Sequence, residues 1–254
     1  MSFIRALAPV ILAALLLAGW EIACRLLEIP AYFLPPPSAV LAALIGDWRS
    51  LAASAWTTLS MALIALLIAA AIACALALVT ALSRTVERAV TPLAVLMQVT
   101  PVVAIAPLVV IWAGVSHPER AVTALAVVVA FFPIFSGALT GLKSADPDLS
   151  RLFALYGATP LQRLLRLKLP SAAPHLLEGL KVAAGLSLIG AVVAEFVAGS
   201  GGSQGLAWRI LEAGNRLQTA KMFAAVALLG LMGAFLHALL QVVEKKALLW
   251  WRGR

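Results

Sequence analysis

Six long apolar runs constrain this chain more than any other feature of its sequence. A helix needs about 20 apolar residues to cross the hydrocarbon core of a bilayer. The candidate membrane helices are the runs 6–20, 50–83, 89–118, 121–142, 182–194 and 222–243. The composition agrees, because 63% of the 254 residues are hydrophobic, 12% are charged and the mean hydropathy is +1.03. The sequence therefore predicts an all-α, polytopic transmembrane bundle of about six spans.

The positive residues predict how this bundle is oriented, since Lys and Arg collect in cytoplasmic segments. With both ends inside, the cytoplasmic segments hold twelve of them: Arg5, Arg84, Arg88, Lys143, Arg151, Arg163, Arg166, Lys168, Lys245, Lys246, Arg252 and Arg254. The outer segments hold six: Arg25, Arg49, Arg120, Arg209, Arg216 and Lys221. We therefore predict a multi-pass membrane protein with both termini cytoplasmic. The net charge of +8 then reflects topology, and nucleic-acid binding is disfavoured.

The N-terminal segment has a positive residue followed by an apolar core, as a signal peptide does. No small-x-small cleavage site follows it, so we expect an uncleaved membrane helix. Residues 1–32 are predicted as this helix and residues 33–254 as the main domain.

The consecutive prolines at 35–37 interrupt the helical pattern. Ser38 is then predicted to cap a short outer amphipathic helix that runs to about Trp48.

Polar residues in the third run are candidates for function, because unpaired polar atoms in lipid are costly. Gln98 and Thr100 lie midway along this run, next to Pro101. Together with Pro107, that proline predicts a kinked or locally broken helix. The two polar side chains could line a polar substrate path. They could also bond to a carbonyl that the kink leaves free, or to a neighbouring helix.

Charged residues around the fifth run are also candidates. Glu195 is expected near its outer end, where it could gate the path or form an ion pair with Arg209 or Lys221. Glu178 and Lys181 are three residues apart and so share a helix face. We expect these two to form an interfacial ion pair where the fifth span begins.

No catalytic or metal-binding constellation is visible in the sequence. The histidines His117, His175 and His237 fall in separate segments, without the spacing that metal sites favour. A phosphate-binding loop of the form G-x-x-x-x-G-K-[ST] is absent. We therefore predict a chain that is not an enzyme and that carries no cofactor or metal of its own.

The most specific motif lies in the basic loop between the fourth and fifth runs. Gly157, nine further residues and Leu167-x-Leu169-Pro170 match G-x9-I-x-L-P. This motif resembles the second half of the EAA signature of ATP-binding-cassette (ABC) importer permeases. Three other segments are similar to the nitrate, sulfonate and taurine branch of that family: 34–38 (LPPPS), 98–101 (QVTP) and 194–196 (AEF). The resemblance covers the chain from about residue 33 to the end.

The resemblance implies the all-α (MetI-like) architecture of a type I importer permease, a subunit that does not itself hydrolyse ATP. It implies a second permease copy in a homodimer, two nucleotide-binding ATPase subunits that use ATP, and an extracytoplasmic substrate-binding protein. It also implies location in the bacterial plasma (inner) membrane, with membrane lipid around the spans. The loop at about 143–175, and its 149–170 part above all, would couple the permease to the ATPase. The residues implied for this coupling are Arg151, Tyr156, Gly157, Ala158, Thr159, Arg163, Leu167, Leu169 and Pro170.

The residues of the loop predict two helices, over 149–155 and 160–167. Gly157 supplies the permissive backbone of the corner between them. Pro160 suits the first turn of the second helix, and Pro170 is predicted to stop it. The positive side chains of the second helix would form a basic face for the ATPase or for acidic lipid headgroups: Arg163, Arg166 and Lys168. The family's Glu-Ala-Ala is replaced here by residues 151–153 (RLF), so contacts that depend on that glutamate do not transfer.

Two other classes of protein fit less well. A secondary transporter would show inverted repeats and mid-membrane charges, and a membrane enzyme would show an intramembrane cluster of His, Asp and Glu. The branch of the family implies import of a small polar solute, which is either nitrate-, sulfonate- or taurine-like or a pyrimidine-type vitamin precursor. The absence of a basic residue near Gln98 weakly disfavours a path tuned to a fixed anion.

Overall fold

The structure is a computed structural model that describes residues 2–114, 117–198 and 204–251. Every regular element within these ranges is helical, which confirms the all-α prediction. A π-helical segment, Leu164–Lys168, lies between α8 and α9. The helices are α1 (Ser2–Leu26), α2 (Pro37–Gly46), α3 (Trp48–Leu82), α4 (Arg84–Val99), α5 (Val102–Ala113), α6 (Pro118–Lys143), α7 (Pro147–Leu155), α8 (Pro160–Arg163), α9 (Leu169–Ala198), α10 (Leu206–Asn215) and α11 (Thr219–Trp251).

The described ranges contain five helices that are long and apolar enough to cross a membrane, or six if α4 and α5 form one broken span. The prediction of about six spans agrees with this number. The fifth predicted run, 182–194, is the one that the structure lengthens most, because α9 begins at Leu169. The polar residues near its start are accommodated within the helix by ion pairs that are described below.

The third predicted span is broken where its prolines predicted a kink. The axes of α4 and α5 meet at 99°. Thr100 has an extended backbone with ψ 123°, as expected for a residue that precedes a proline. Pro101 lies at the junction and has no amide hydrogen with which to continue the helix. Pro107, in contrast, lies inside α5 without ending it.

The short helix after the proline run differs from the prediction in its cap, its end and its character. α2 begins after Pro36, so Ser38 is not its N-cap. The Ser38 amide and hydroxyl both donate to the carboxylate of Glu21 in α1, at 2.9 and 2.8 Å. A carboxylate from another helix therefore supplies the acceptor that a capping side chain would otherwise provide. α2 is a short apolar helix, not an amphipathic one, and it ends at Gly46.

The chain divides into two compact units. The first consists of the described residues up to Thr57 together with Gln204–Leu231, and the second of Thr58–Ser203, where described, and the residues from Met232 onward. In the first unit, the rings of Trp20 and Phe223 pack with their centroids 5.8 Å apart. The Thr219 hydroxyl also donates to the carbonyl of Tyr32 at 2.9 Å. These contacts join α11 to α1 and to the segment that follows α1.

The core of the second unit is built on the close pairing of α6 and α9. Glycine in membrane helices allows two backbones to approach closely. A Cβ atom at Gly179 would lie 2.5 Å from the carbonyl oxygen of Pro133, and one at Gly141 would lie 2.7 Å from the Cα of Ala172. A Cβ at Gly137 would similarly meet the backbone of α9 at 2.6 Å. Side chains larger than hydrogen are therefore excluded along the seam where α6 and α9 meet. We call these two helices the α6–α9 pair.

Candidate coupling loop and polar cavity

The corner of the basic loop is a helix C-terminus closed by a glycine. α7 begins at Pro147, where the carboxylate of Asp146 accepts the amide of Asp148 at 2.7 Å. At its other end, Gly157 has φ +67°, in the left-handed region that glycine tolerates. The amide of Gly157 donates to the carbonyl of Ala154, and the next amide donates to Phe153. This pair of bonds is a Schellman motif, and it confirms Gly157 as the corner of the backbone.

The second helix of the loop begins with a capping box that the sequence analysis did not identify. The Thr159 hydroxyl accepts the amide of Gln162 at 3.2 Å, and the Gln162 side chain accepts the amide of Thr159 at 2.8 Å. Pro160 occupies the first turn, as predicted. Thr159 was expected only as one of the residues implied for coupling. The signal was present in the T-P-x-Q spacing, which is typical of an N-terminal box.

Pro170 does not stop the second helix, so that prediction was wrong. A single helix of 39 residues runs through Pro160–Ala198. Within the π-helical segment, the amide of Leu169 donates to the carbonyl of Leu164, five residues back. The hydrogen-bond register therefore shifts just before Pro170, where the amide hydrogen is missing, and the chain passes the proline without a break. The candidate coupling loop is thus continuous with the fifth membrane helix.

The side chains predicted for coupling have very different environments. Leu155 and Tyr156 at the corner are 85% and 82% exposed. Arg151 is also exposed, and its guanidinium donates to the carboxylate of Asp148 at 3.1 Å. Leu167 is buried within the second unit, at 7% exposure. The loop therefore offers a protruding apolar tip next to an exposed cation, and Leu167 anchors its base.

The two polar candidates of the broken span lie in different settings. The Thr100 hydroxyl donates to the carbonyl of Leu96 at 2.7 Å, and the Thr100 amide donates to the same oxygen at 3.0 Å. The Leu96 carbonyl is therefore not one that the kink leaves free, because it already accepts an amide, and the hydroxyl adds a second bond at the end of α4. Gln98, in contrast, lines a cavity of about 400 Å³ between α4, α6 and α9.

This cavity combines apolar walls with several hydrogen-bonding side chains. The polar side chains that line it are Gln98, Ser136, Thr140, His175 and Glu178. The described residues that line it include no Lys or Arg. The cavity can therefore donate and accept hydrogen bonds, but its described lining holds no fixed positive charge to bind an anion.

Glu195 is a buried carboxylate of the second unit. Its side chain is 2% exposed, and its Oε1 accepts a hydrogen bond from the Thr58 hydroxyl at 2.7 Å. Buried carboxylates need such partners because burial of a charged group is costly. Nothing in the local sequence predicted Thr58, which lies far away along the chain. A gating role for Glu195 stays a prediction.

The two cations proposed as partners of Glu195 have carboxylate partners inside the first unit. Arg209 donates to Glu212 at 2.8 Å and to the Ser54 hydroxyl at 3.0 Å. Lys221 pairs with Asp47 at 3.2 Å. The hydrogen bond from the Arg209 guanidinium holds the pKa of Glu212 below its usual value. Glu212 therefore remains ionised at neutral pH.

Ion pairs also join the helices of the second unit. Lys181 binds Glu178 at 2.7 Å, which confirms the predicted pair, and it also binds Glu244 of α11 at 2.8 Å. Lys143 of α6 pairs with Glu87 of α4. The partners on other helices were missed because helix spacing predicts only contacts within one helix.

In the described ranges, no group of three or more His, Cys, Asp or Glu side chains could hold a metal ion.

Comparison with known proteins identifies one family whose members resemble this chain. The profile of the family described as "Binding-protein-dependent transport system inner membrane component" matches residues 68–248. This match covers most of the chain and includes both the candidate coupling loop and the helices around the cavity.

Individual relatives agree over nearly the whole length. The chain is 34% identical to the formylaminopyrimidine transport permease protein ThiX of Halalkalibacterium halodurans, over 97% of this chain and 96% of the relative. It is 35% identical to the riboflavin transport system permease protein RibX of Chloroflexus aurantiacus, over 93% and 87%. It is 30% identical to the taurine transport system permease protein TauC of Escherichia coli, over 94% and 87%. The chain therefore belongs to the family of binding-protein-dependent transport inner membrane components, and it is a non-catalytic permease subunit of an ABC transporter.

Proposed function

We propose that this permease imports a small polar solute that is neutral and nitrogen-containing, of the pyrimidine or vitamin-precursor type. The observation that carries this proposal is the composition of the cavity between α4, α6 and α9. Its amide, hydroxyl, imidazole and carboxylate groups suit the donors and acceptors of a heterocycle. A path for nitrate or a sulfonate would instead need a cationic side chain, and none is present in the described lining.

The names of the relatives are consistent with this choice and also define the alternative. The two relatives with 34% and 35% identity are named for formylaminopyrimidine and riboflavin transport. Other relatives are named for taurine, aliphatic sulfonates and nitrate. A sulfonate or nitrate permease is therefore the second candidate, and the charge of the cavity lining is what favours the first.

Membership of the family implies that ATP is used by a separate ATPase subunit and that a substrate-binding protein delivers the solute. The finer arrangement is part of the proposal: two copies of this chain, two ATPase subunits and both termini in the cytoplasm. The solute would cross from the outer side, where the binding protein docks, to the cytoplasmic side, where ATP is used.

The coupling step would use the corner of the basic loop. Exposed apolar side chains such as Leu155 and Tyr156 suit a groove on a partner protein. Because α8 continues without a break into α9, a displacement of the corner would be passed directly to a membrane helix. The α6–α9 pair would then move together, which is the type of rigid-element motion that switches access. Arg151 would face the partner at the position where the EAA signature has its glutamate.

Uptake by the complete transporter tests the substrate. Cells that carry the permease with its ATPase and binding protein should accumulate a labelled formylaminopyrimidine and should not accumulate taurine. Gln98→Leu should lower that uptake roughly twofold to tenfold, the effect of one lost hydrogen bond, with normal amounts of assembled complex. Gln98→Asn, which keeps the amide, is the matched control. Uptake of taurine or nitrate without pyrimidine uptake would replace this proposal with the second candidate.

A further inference from the structure

A second cavity lies beneath the coupling loop, between the end of α3, α7 and α8. Its volume is about 430 Å³. Two positive side chains line it, Arg163 and Lys168, together with the hydroxyl of Ser150. The last turn of α3 closes another side with Ala81 and Leu82. This cavity is separate from the one that contains Gln98, and it has the opposite charge character.

The positive groups of this cavity lack a described counter-ion. No Asp or Glu is among the described residues that line it, and none of the described carboxylates forms an ion pair with Arg163 or Lys168. The Nε of Arg163 is buried and has no hydrogen-bond acceptor in the described part of the chain. The nearby Asp148 is engaged with Arg151. Two cations that line one cavity without an acid among its described lining residues suit an anionic oxygen ligand.

The position of the cavity points to a phosphate group carried by lipid. Leu82 ends a membrane span and is 64% exposed, so the cavity opens at the level where a span leaves the bilayer. Leu161 and Leu165 on the adjoining helix are 62% and 54% exposed and offer apolar surface beside the cations. Basic pockets at the ends of membrane helices are typical sites for anionic headgroups. A soluble phosphate would gain nothing from these leucines.

We propose that Arg163, Lys168 and Ser150 bind the phosphate group of an anionic phospholipid. The guanidinium of Arg163 would donate to a phosphate oxygen, and the ammonium group of Lys168 would supply a second charge. The lipid would then tie the coupling loop to the membrane surface at the point where α8 enters α9. The basic face of the loop is thereby divided, since Arg166 is exposed outside the cavity and stays available to another partner.

Native mass spectrometry of the full-length chain in detergent tests this site. Phosphatidylglycerol is the probe, phosphatidylcholine is the zwitterionic comparison, and inorganic phosphate is the soluble competitor. We expect wild type to retain phosphatidylglycerol in preference to phosphatidylcholine. Arg163→Gln or Lys168→Gln should each weaken phosphatidylglycerol binding roughly fivefold, and the double variant about thirtyfold. Arg166→Gln, which removes an exposed cation of the same segment, is the matched control and should bind as wild type does.

The outcomes separate the possible sources of the anion. Equal phosphatidylglycerol binding by wild type and the double variant would overturn the site. Complete displacement by millimolar inorganic phosphate, with no preference between the two lipids, would show that free phosphate is the occupant and would overturn the lipid. Thermal unfolding of each variant identifies misfolded protein, and the single Lys168→Gln variant keeps the test valid if Arg163→Gln does not fold. Neither result depends on which solute the permease carries.

Discussion

Prolines lie both in the helices of the α6–α9 pair and in the span formed by α4 and α5. Only the span formed by α4 and α5 is interrupted at a proline. Pro133 lies inside α6, which remains continuous over Pro118–Lys143. Pro101 separates two helices that meet at 99°. The difference lies in the packing around each proline. α6 buries thirteen residues, whereas α4 and α5 bury one each, Ala94 and Ala106.

Packing explains why the same residue type has two outcomes. The Pro133 carbonyl lies so close to Gly179 that a Cβ there would approach it to 2.5 Å. Tight contact on both sides of the proline holds the surrounding turns in place, and neighbouring helices can stabilise a proline within a membrane helix. Around Pro101 few contacts oppose the bend, so the steric preference of a residue before proline decides the backbone. Sparse packing therefore permits a break at a proline but does not require one, since Pro92 and Pro107 lie inside α4 and α5 without ending these helices.

The largest expected effect follows from adding a methyl group where α6 and α9 are in close contact. Gly179→Ala should destabilise the protein by about 1–3 kcal/mol, because the new methyl group would overlap the backbone of α6. Gly185→Ala on the same helix is the matched control, since nothing lies within 4 Å of a Cβ at that position. Unfolding in detergent, followed by circular dichroism, measures both. Equal stability of the two variants would show that the seam is not close-packed.

The next effect concerns the loop that joins the two helices of this pair. Gly157→Val should leave membrane insertion intact but reduce uptake about tenfold, with ATP hydrolysis retained. A β-branched residue resists the left-handed backbone at φ +67°, a strain of about 1–2 kcal/mol. The ratio of solute imported to ATP hydrolysed by the reconstituted transporter is the measurement.

Two further observations decide how the Gly157 result is interpreted. No atom lies within 4 Å of a Cβ at this position, so steric overlap is not the cause of the effect. Gly157→Asn should therefore restore most of the coupling, because asparagine tolerates the left-handed region. A Val variant that transports normally would refute Gly157 as the corner on which coupling depends.

Hydropathy and residue spacing predicted the features that depend on residues near one another in the sequence. Hydropathy placed the membrane helices, and the spacing of the loop motif placed the corner at Gly157. The prediction for Pro170 was wrong because a proline rule assumes α-helical hydrogen bonds, and the register shifts in the π-helical segment. Ser38 was assigned as a cap because its partner Glu21, on another helix, cannot be found from spacing. The contact between Thr58 and Glu195 was out of reach for the same reason.

The smallest expected effect compares one hydrogen bond in both regions. The hydroxyls of Thr100, at the break, and Thr123, inside α6, each donate to the carbonyl four residues back, at 2.7 and 2.8 Å. Thr100→Val should cost about 0.5–1 kcal/mol, because the hydroxyl reinforces the amide bond that closes the last turn of α4, beyond which Pro101 supplies no amide. Thr123→Val should cost less than about 0.5 kcal/mol, since the amides of a continuous helix satisfy its carbonyls. The difference in thermal unfolding in detergent measures both.

Equal costs for the two valine variants would mean that Pro101 and sparse packing alone produce the break, without help from the hydroxyl. Uptake measured on the same Thr100→Val protein separates the two roles proposed for this residue. If the hydroxyl only stabilises the kink, uptake per assembled complex should stay within about twofold of wild type. A larger loss of uptake at unchanged stability would place Thr100 beside Gln98 on the substrate path. The bend would then expose polar groups to the solute as well as redirect the chain.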